Sequence, residues 1–126
     1  MINIDDLIGV RYKLNGRNIR EGLDCYGLAI EVENRFGHKL PDYADMDQKY
    51  FLMYEEKCLR SINVKEISEP ISEGDLILIK NAKGIFGHIG VYLGKDKFIH
   101  CNTLGVHIDR VSQYKNFIGK VYQWQE

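Results

Sequence analysis

The stretch Gly87-His-Ile-Gly-Val-Tyr-Leu-Gly94, followed after Lys95-Asp96-Lys97 by Phe98-Ile-His-Cys101, decides the fold. In its first half Ile89, Val91 and Leu93 alternate with His88, Gly90 and Tyr92, the period-two pattern of a strand with one apolar face. The second half, residues 97–102, reads as a partner strand, and the hairpin is expected to turn near Lys95. Phe98, His100 and Asn102 share the parity of His88, so a three-residue turn places both histidines on one face. With position 92 opposite 98, position 90 faces 100, and His88 and His100 become diagonal neighbours. Such neighbours lie about 7–8 Å apart at Cα and closer at the tips of long rings. Gly90, opposite His100, is expected to leave space for those rings.

Downstream and upstream of this hairpin, residues 62–67, 75–80, 106–110 and 118–124 also read as short strands. The turns between strands hold Asn81, Lys83, Gly84, Gly94, Asp96 and Gly105. The first half of the chain is different. Residues 3–10 predict a short helix with Ile4, Leu7 and Ile8 on one side, and 12–21 is polar and glycine-containing, hence loop. From Asp24, a natural N-cap, Leu28, Val32 and Phe36 recur at helical spacing until Gly37, a natural C-cap. A further helix is expected over about 45–61. Helices first and antiparallel strands after predict an α+β fold, N-terminal helices packed on a five- to six-stranded sheet, with the helix from Asp24 covering one face. Residues 1–126 form one domain in this reading.

Composition narrows the function. A 126-residue chain that is 44% hydrophobic and 28% charged is globular rather than disordered. A net charge of −1 argues against a general nucleic-acid binder. Apolar runs such as Leu76-Ile77-Leu78-Ile79 are far too short to span a bilayer, so no membrane partner is expected. The start, Met1 to Asp6, has neither the basic nor the apolar part of a secretion signal, which leads to the expectation of a cytosolic product. Cys25, Cys58 and Cys101 are an odd number without CxxC spacing, so neither a disulfide scaffold nor a zinc site is expected, and a reduced compartment fits. Phosphate-loop, serine-hydrolase, zinc-protease and dinucleotide motifs are absent, and no cofactor or metal is expected. Asp42, Asp45 and Asp47 lack the glycine and glutamate of a calcium loop and read as a solvated turn.

Cys25 has a site reading. It opens the helix capped by Asp24, where unpaired backbone N–H groups and the helix dipole favour a thiolate of lowered pKa. A buried structural cysteine is an equal reading on position alone. The His88–His100 pair tips the balance, because a base held by a second ring is the arrangement a cysteine nucleophile needs. His107 alternates with Val106 and Ile108 and is expected to point to solvent. His38, after a helix end, is expected to cap or be exposed. Cys101, opposite in parity to His100, and Cys58 read as core.

Together these residues resemble the NlpC-type cell-wall cysteine peptidases, which are papain-like in fold. The resemblance rests on Tyr12, Gly16 and Gly22-Leu-Asp-Cys-Tyr-Gly-Leu28, then Gly74-Asp-Leu-Ile-Leu-Ile79, His88 to Gly94, and Phe98-Ile-His100, in the family's order and spacing. It implies Cys25 as nucleophile, His88 as general base and His100 as the residue orienting it. It implies Tyr12 and Asp24 at the cleft, and substrate peptides of bacterial peptidoglycan, often cut between D-glutamate and the diamino acid. The family commonly has Ser where this chain has Tyr26, so Tyr26 is a third candidate for substrate recognition. Gly37-His-Lys-Leu-Pro-Asp-Tyr43 resembles phage and prophage members, which implies phage tail proteins as partners and tail-borne delivery to the wall. Two alternatives stand beside the hydrolase: a non-catalytic tail assembly module, and an acyl or amide transferase on the same fold.

Overall fold

The computed structural model describes residues 2–42, 59, 61–80 and 86–125. In chain order the elements are β1 (Arg17–Asn18), β2 (Gly22–Leu23), α1 (Cys25–Arg35), β3 (Val64–Ile67), β4 (Leu76–Lys80), β5 (Phe86–Gly94), β6 (Lys97–Asn102), β7 (Gly105–Arg110) and β8 (Ile118–Trp124). A single 3₁₀ turn, Val111–Tyr114, follows β7. Strands β3 to β8 form one six-stranded sheet in the order β3-β8-β4-β5-β6-β7. Every neighbouring pair in it is antiparallel. The α+β expectation therefore holds, with α1 packed on the sheet.

The local reasons for α1 are visible at both ends. Asp24 has extended backbone and its Oδ1 accepts the Gly27 N–H at 2.7 Å, satisfying one of the orphan donors of the first turn. At the other end the Gly37 N–H reaches the Asn34 carbonyl at 3.1 Å and the His38 N–H reaches that of Glu33 at 2.8 Å. That pair of bonds is a Schellman cap, and Gly37 supplies the positive φ of 88° it requires. Between the caps Leu28, Ala29 and Val32 are buried against Leu76, Leu78, Ile89, Val91, Ile99, Cys101 and Val106 of the sheet. Each fully buried Leu, Ile or Val side chain stabilises the fold by roughly 1.5–3 kcal/mol, so this layer carries much of the core. The opposite sheet face holds a smaller cluster of Ile77, Ile79 and Phe98.

The hairpin register is the expected one. Gly90 pairs with His100, Val91 with Ile99 and Tyr92 with Phe98. The turn is shorter than expected, with a bulge in place of the third residue. Register shifts between Tyr92 and Gly94, and Lys95 and Asp96 then turn the chain with φ of 53° and 66°. Two consecutive positive φ values are the signature of a tight turn that matches the right-handed twist of its strands.

Two expectations need correction. Residues 3–10 form turns, not a helix, held by Leu7 N–H to the Ile4 carbonyl at 2.9 Å and Val10 N–H to that of Leu7 at 3.1 Å. The Asn3 side chain takes the Asp5 N–H at 2.9 Å, a local bond that competes with helix nucleation. Of the three apolar residues there, Leu7 is fully buried while Ile8 is 47% exposed, so no common helix face exists. The loop 12–21 also contains structure: β1 pairs with β2 just ahead of α1. The helix expected over 45–61 lies almost wholly outside the described residues, as do Cys58, Asp45 and Asp47; Leu59 is helical and buried.

Candidate active site

Pairing between β5 and β6 ends at Gly90–His100. There the N-terminus of α1 reaches the sheet, and the backbone N–H of Ile89 hydrogen-bonds the Cys25 sulfur. Cys25, the first residue of α1, is thus set one residue along β5 from His88. The close seat of the β1–β2 hairpin on α1 depends on Gly27, because a Cβ there would collide with the Gly16 carbonyl oxygen.

His88 Nε2 lies 2.7 Å from His100 Nδ1, with ring centroids 4.9 Å apart and planes at 67°. The diagonal contact expected from parity is present. The space beside Gly90 has a different use: a Cβ there would come within 2.7 Å of Phe98 Cδ2. Phe98 fills that space and packs on His100 with centroids 4.5 Å apart. His100 is buried, and its other nitrogen, Nε2, lies 2.8 Å from Asp109 Oδ2 on β7.

His107 does not point to solvent alone, as its own strand pattern had implied. Its Cα pairs directly with His100, which puts both rings on one face, with centroids 4.3 Å apart. Its Nε2 lies 3.1 Å from the same Asp109 oxygen, to which the Tyr114 hydroxyl donates at 3.0 Å. Sequence reasoning did not single out Asp109 or Tyr114. The available signal was the two-residue turn between Asn102 and Gly105, which fixes the β6–β7 register and brings 107 opposite 100.

The three candidates for substrate contact are placed differently. Tyr12 is half-buried and bridges to Leu23, just ahead of the helix. Asp24 is fully buried, and its carboxylate is taken by the Gly27 N–H, by Arg17 Nη1 at 2.7 Å and by the Asn15 N–H at 3.1 Å. Tyr26 is buried as well: its hydroxyl donates to the Pro41 carbonyl, and the Arg17 guanidinium lies 5.6 Å from its ring centroid. Asp24 and Tyr26, on either side of Cys25 in the chain, are thus both buried and hydrogen-bonded within the protein. Cys101, as expected, is core, with its thiol on the Leu23 carbonyl. His38 is half-buried, stacked on Trp124 with centroids 4.4 Å apart and bonded through Nδ1 to Glu33.

The electrostatics follow burial. It pushes the Cys25 thiol up to about 12, with the Asp24 carboxylate adding to the effect and the Ile89 and Tyr26 N–H groups opposing it. The lowered thiol expected from the helix terminus is therefore outweighed: two backbone donors do not offset dehydration plus a neighbouring negative charge. Burial also takes His88 down to about 3, reinforced by His100 and His107. It lowers His100 too, against the pull of Asp109. At neutral pH Cys25 is therefore a thiol and His88 a neutral imidazole. Among the described residues His100, His107 and Asp109 could offer a cation three ligand atoms within 4.8 Å. Their N–O separations of 2.8 and 3.1 Å are hydrogen-bond lengths, below the ligand spacing of about 3.3 Å in a tetrahedral zinc site.

These features define an α+β domain whose helix-terminal cysteine meets the antiparallel sheet one residue along from a hydrogen-bonded histidine pair. The chain belongs to the NlpC/P60 family, whose model matches residues 9–124. It is 33% identical over 99 residues to a "Probable endopeptidase" of Haemophilus influenzae, covering 77% of this chain and 53% of that protein. It is 30% identical over 99 residues to the "Murein DD-endopeptidase MepS/Murein LD-carboxypeptidase" of Escherichia coli K12, covering 78% and 45%. The chain thus spans about half the length of these curated relatives. The fold matches the crystal structure of the NlpC/p60 domain of the peptidoglycan hydrolase SagA with a TM-score of 0.60 at 19% identity, covering 93% of this chain and 89% of that one. An NlpC/P60 family protein from Bacillus cereus matches with a TM-score of 0.67 at 22% identity, covering 98% and 41%.

Proposed function

We propose that this domain is a cysteine peptidase that hydrolyses amide bonds in peptidoglycan stem peptides. The observation that carries the reading is the His88–His100 hydrogen bond placed one residue from the Cys25 sulfur contact. As the Cys25 sulfur attacks the scissile carbonyl carbon, His88 takes its proton through Nδ1, the nitrogen not used by His100. The new C–S bond leaves a tetrahedral oxyanion, for which the Cys25 backbone N–H at the N-terminus of α1 is the proposed donor. Collapse of that intermediate breaks the C–N bond, and His88 returns the proton to the departing amine. Water then attacks the thioester with His88 again as base, releasing the acid and the free thiol.

Endopeptidase names among the relatives favour turnover over a purely structural module. The bond between D-glutamate and the diamino acid is the first candidate, by family resemblance. The D,D cross-link is the second, because one relative is named for it. Delivery by a phage tail is proposed on the resemblance of residues 37–43 to phage and prophage members alone. Mass spectrometry of purified peptidoglycan fragments incubated with wild type and Cys25→Ala tests the reading. New fragments with wild type only are expected, and their masses identify the bond. Fragments from both proteins, or transfer to an added amine acceptor in place of hydrolysis, would refute it.

A further inference from the structure

We infer that Asp109 is a positioning residue that fixes the direction of every proton in the histidine relay, acting through His100 to present a bare His88 Nδ1 to the Cys25 thiol. This rests on the cysteine-hydrolase reading above. A hydrogen bond between two neutral imidazoles can run either way. If His100 Nδ1–H donates to His88 Nε2, then His88 carries its one proton on Nδ1 and has no lone pair for the thiol. If His88 Nε2–H donates to His100 Nδ1, the lone pair of His88 sits on Nδ1, where a base is needed. The 2.7 Å contact is satisfied equally by both.

Asp109 removes the ambiguity. An ionised carboxylate only accepts, and its Oδ2 lies 2.8 Å from His100 Nε2, so that nitrogen carries the ring's single proton. His100 Nδ1 must then accept, His88 Nε2 must donate, and His88 Nδ1 is left bare. Asp109 stays ionised: burial acts to raise its pKa, but the hydrogen bonds from His100 and Tyr114 help to hold it below the usual carboxylate value. Its Oδ2 is held by Tyr114 from the 3₁₀ turn and faces His107, whose Nδ1 lies 2.9 Å from the Gly105 carbonyl and donates to it. The register supplies the placement, since Asp109 pairs with Phe98 and lies diagonal to His100. When His88 accepts the thiol proton, the same carboxylate compensates the positive charge one ring away.

The experiment reads ring tautomers by long-range ¹⁵N–¹H correlation at neutral pH, and kinetics on a stem-peptide fragment, for wild type, Asp109→Ala and Asp109→Asn. In wild type both His88 and His100 are expected as Nε2–H tautomers. Asp109→Ala should shift His88 toward Nδ1–H and lower kcat about 10–100-fold, part of the roughly 10²–10⁴ supplied by a general base, with KM within about twofold. Asp109→Asn keeps an oxygen that accepts from His100 and Tyr114, so it should retain the tautomers and recover most of the lost rate. A wild-type His88 in the Nδ1–H form, or unchanged tautomers and kcat in Asp109→Ala, would overturn the inference. Cys25→Ala is the separate control: hydrolysis surviving in it refutes the peptidase reading, whereas the wild-type tautomers decide the role of Asp109 independently of turnover.

Discussion

His88 and His100 share a 2.7 Å hydrogen bond although neither is the other's cross-strand partner. His100 is paired with Gly90, and His88 with Ile79 on the other side of β5. A diagonal contact couples the rings while leaving His88 nearer the start of β5, toward Cys25. Their roles should therefore separate on mutation. His88→Ala should cut kcat/KM by about 10²–10⁴-fold, the range of a lost general base. His100→Ala should cost less, and His100→Asn less again, because an amide oxygen can accept from His88 Nε2–H. Initial rates on a stem-peptide fragment, with circular dichroism to check folding, measure this order. His100→Ala with wild-type activity would contradict it.

Glu33 should give the fold a pH signature independent of catalysis. It is fully buried on α1, with Oε2 accepting the Trp124 indole N–H at 2.9 Å and Oε1 at 3.0 Å from His38 Nδ1. Burial raises its pKa to about 8, opposed by the Trp124 hydrogen bond and reinforced by Asp75. The folded state thus holds a proton that the unfolded state gives up from about pH 4.5 upward. The stabilising contribution is complete below that pH and is lost progressively as pH rises through 8. Glu33→Gln, which mimics the protonated acid, should flatten the fall in urea midpoint between pH 5 and about 8. A constant difference between the two proteins across that range would rule the idea out.

Asp24 joins helix and hairpin, so its loss should cost more than a cap. A missing N-cap costs about 1 kcal/mol, and here the Arg17 guanidinium also loses a partner at 2.7 Å. Denaturant unfolding should show Asp24→Ala destabilised by about 2–4 kcal/mol, and Asp24→Asn by clearly less, since an amide oxygen still caps Gly27. Equal loss in both would mean that charge, not capping, dominates.

Much of this architecture is legible in parity alone. The pairing of 90 with 100 and 92 with 98 follows from alternation, and α1 follows from Asp24, the Leu28–Val32 spacing and Gly37. What escaped notice depends on partners distant in sequence. His107 looks solvent-facing from Val106 and Ile108, but the face it shares is set by β6, not by its own strand. Glu33 sits among charged residues of α1 and gives no local sign that Trp124, 91 positions later, will cover it. The helical spacing of Ile4, Leu7 and Ile8 misleads because Asn3 and Gly9 turn the backbone instead. Asp109 belongs with the first kind of miss: its role appears only when three strands are in register.

Gly90 ties the sheet to the site, and its substitution should damage both. A Cβ at this position would lie 2.7 Å from Phe98 Cδ2 and 3.2 Å from the Ile99 carbonyl oxygen. Phe98 cannot retreat: it is fully buried among Ile77, Ile79 and Tyr114. Displacement is passed to His100, on which Phe98 packs at 4.5 Å, and from there to the His88 hydrogen bond. Gly90→Ala should therefore destabilise the fold by about 1–3 kcal/mol, the usual cost of overpacking, and lower kcat. Gly87→Ala is the matched control, because nothing lies within 4 Å of a Cβ there. Adding Phe98→Leu to Gly90→Ala should relieve the clash, so the double variant should be less impaired than the sum of the singles. Additive losses in unfolding midpoint and rate would show that Gly90 and Phe98 act separately, and that the ring does not transmit the strain to His100.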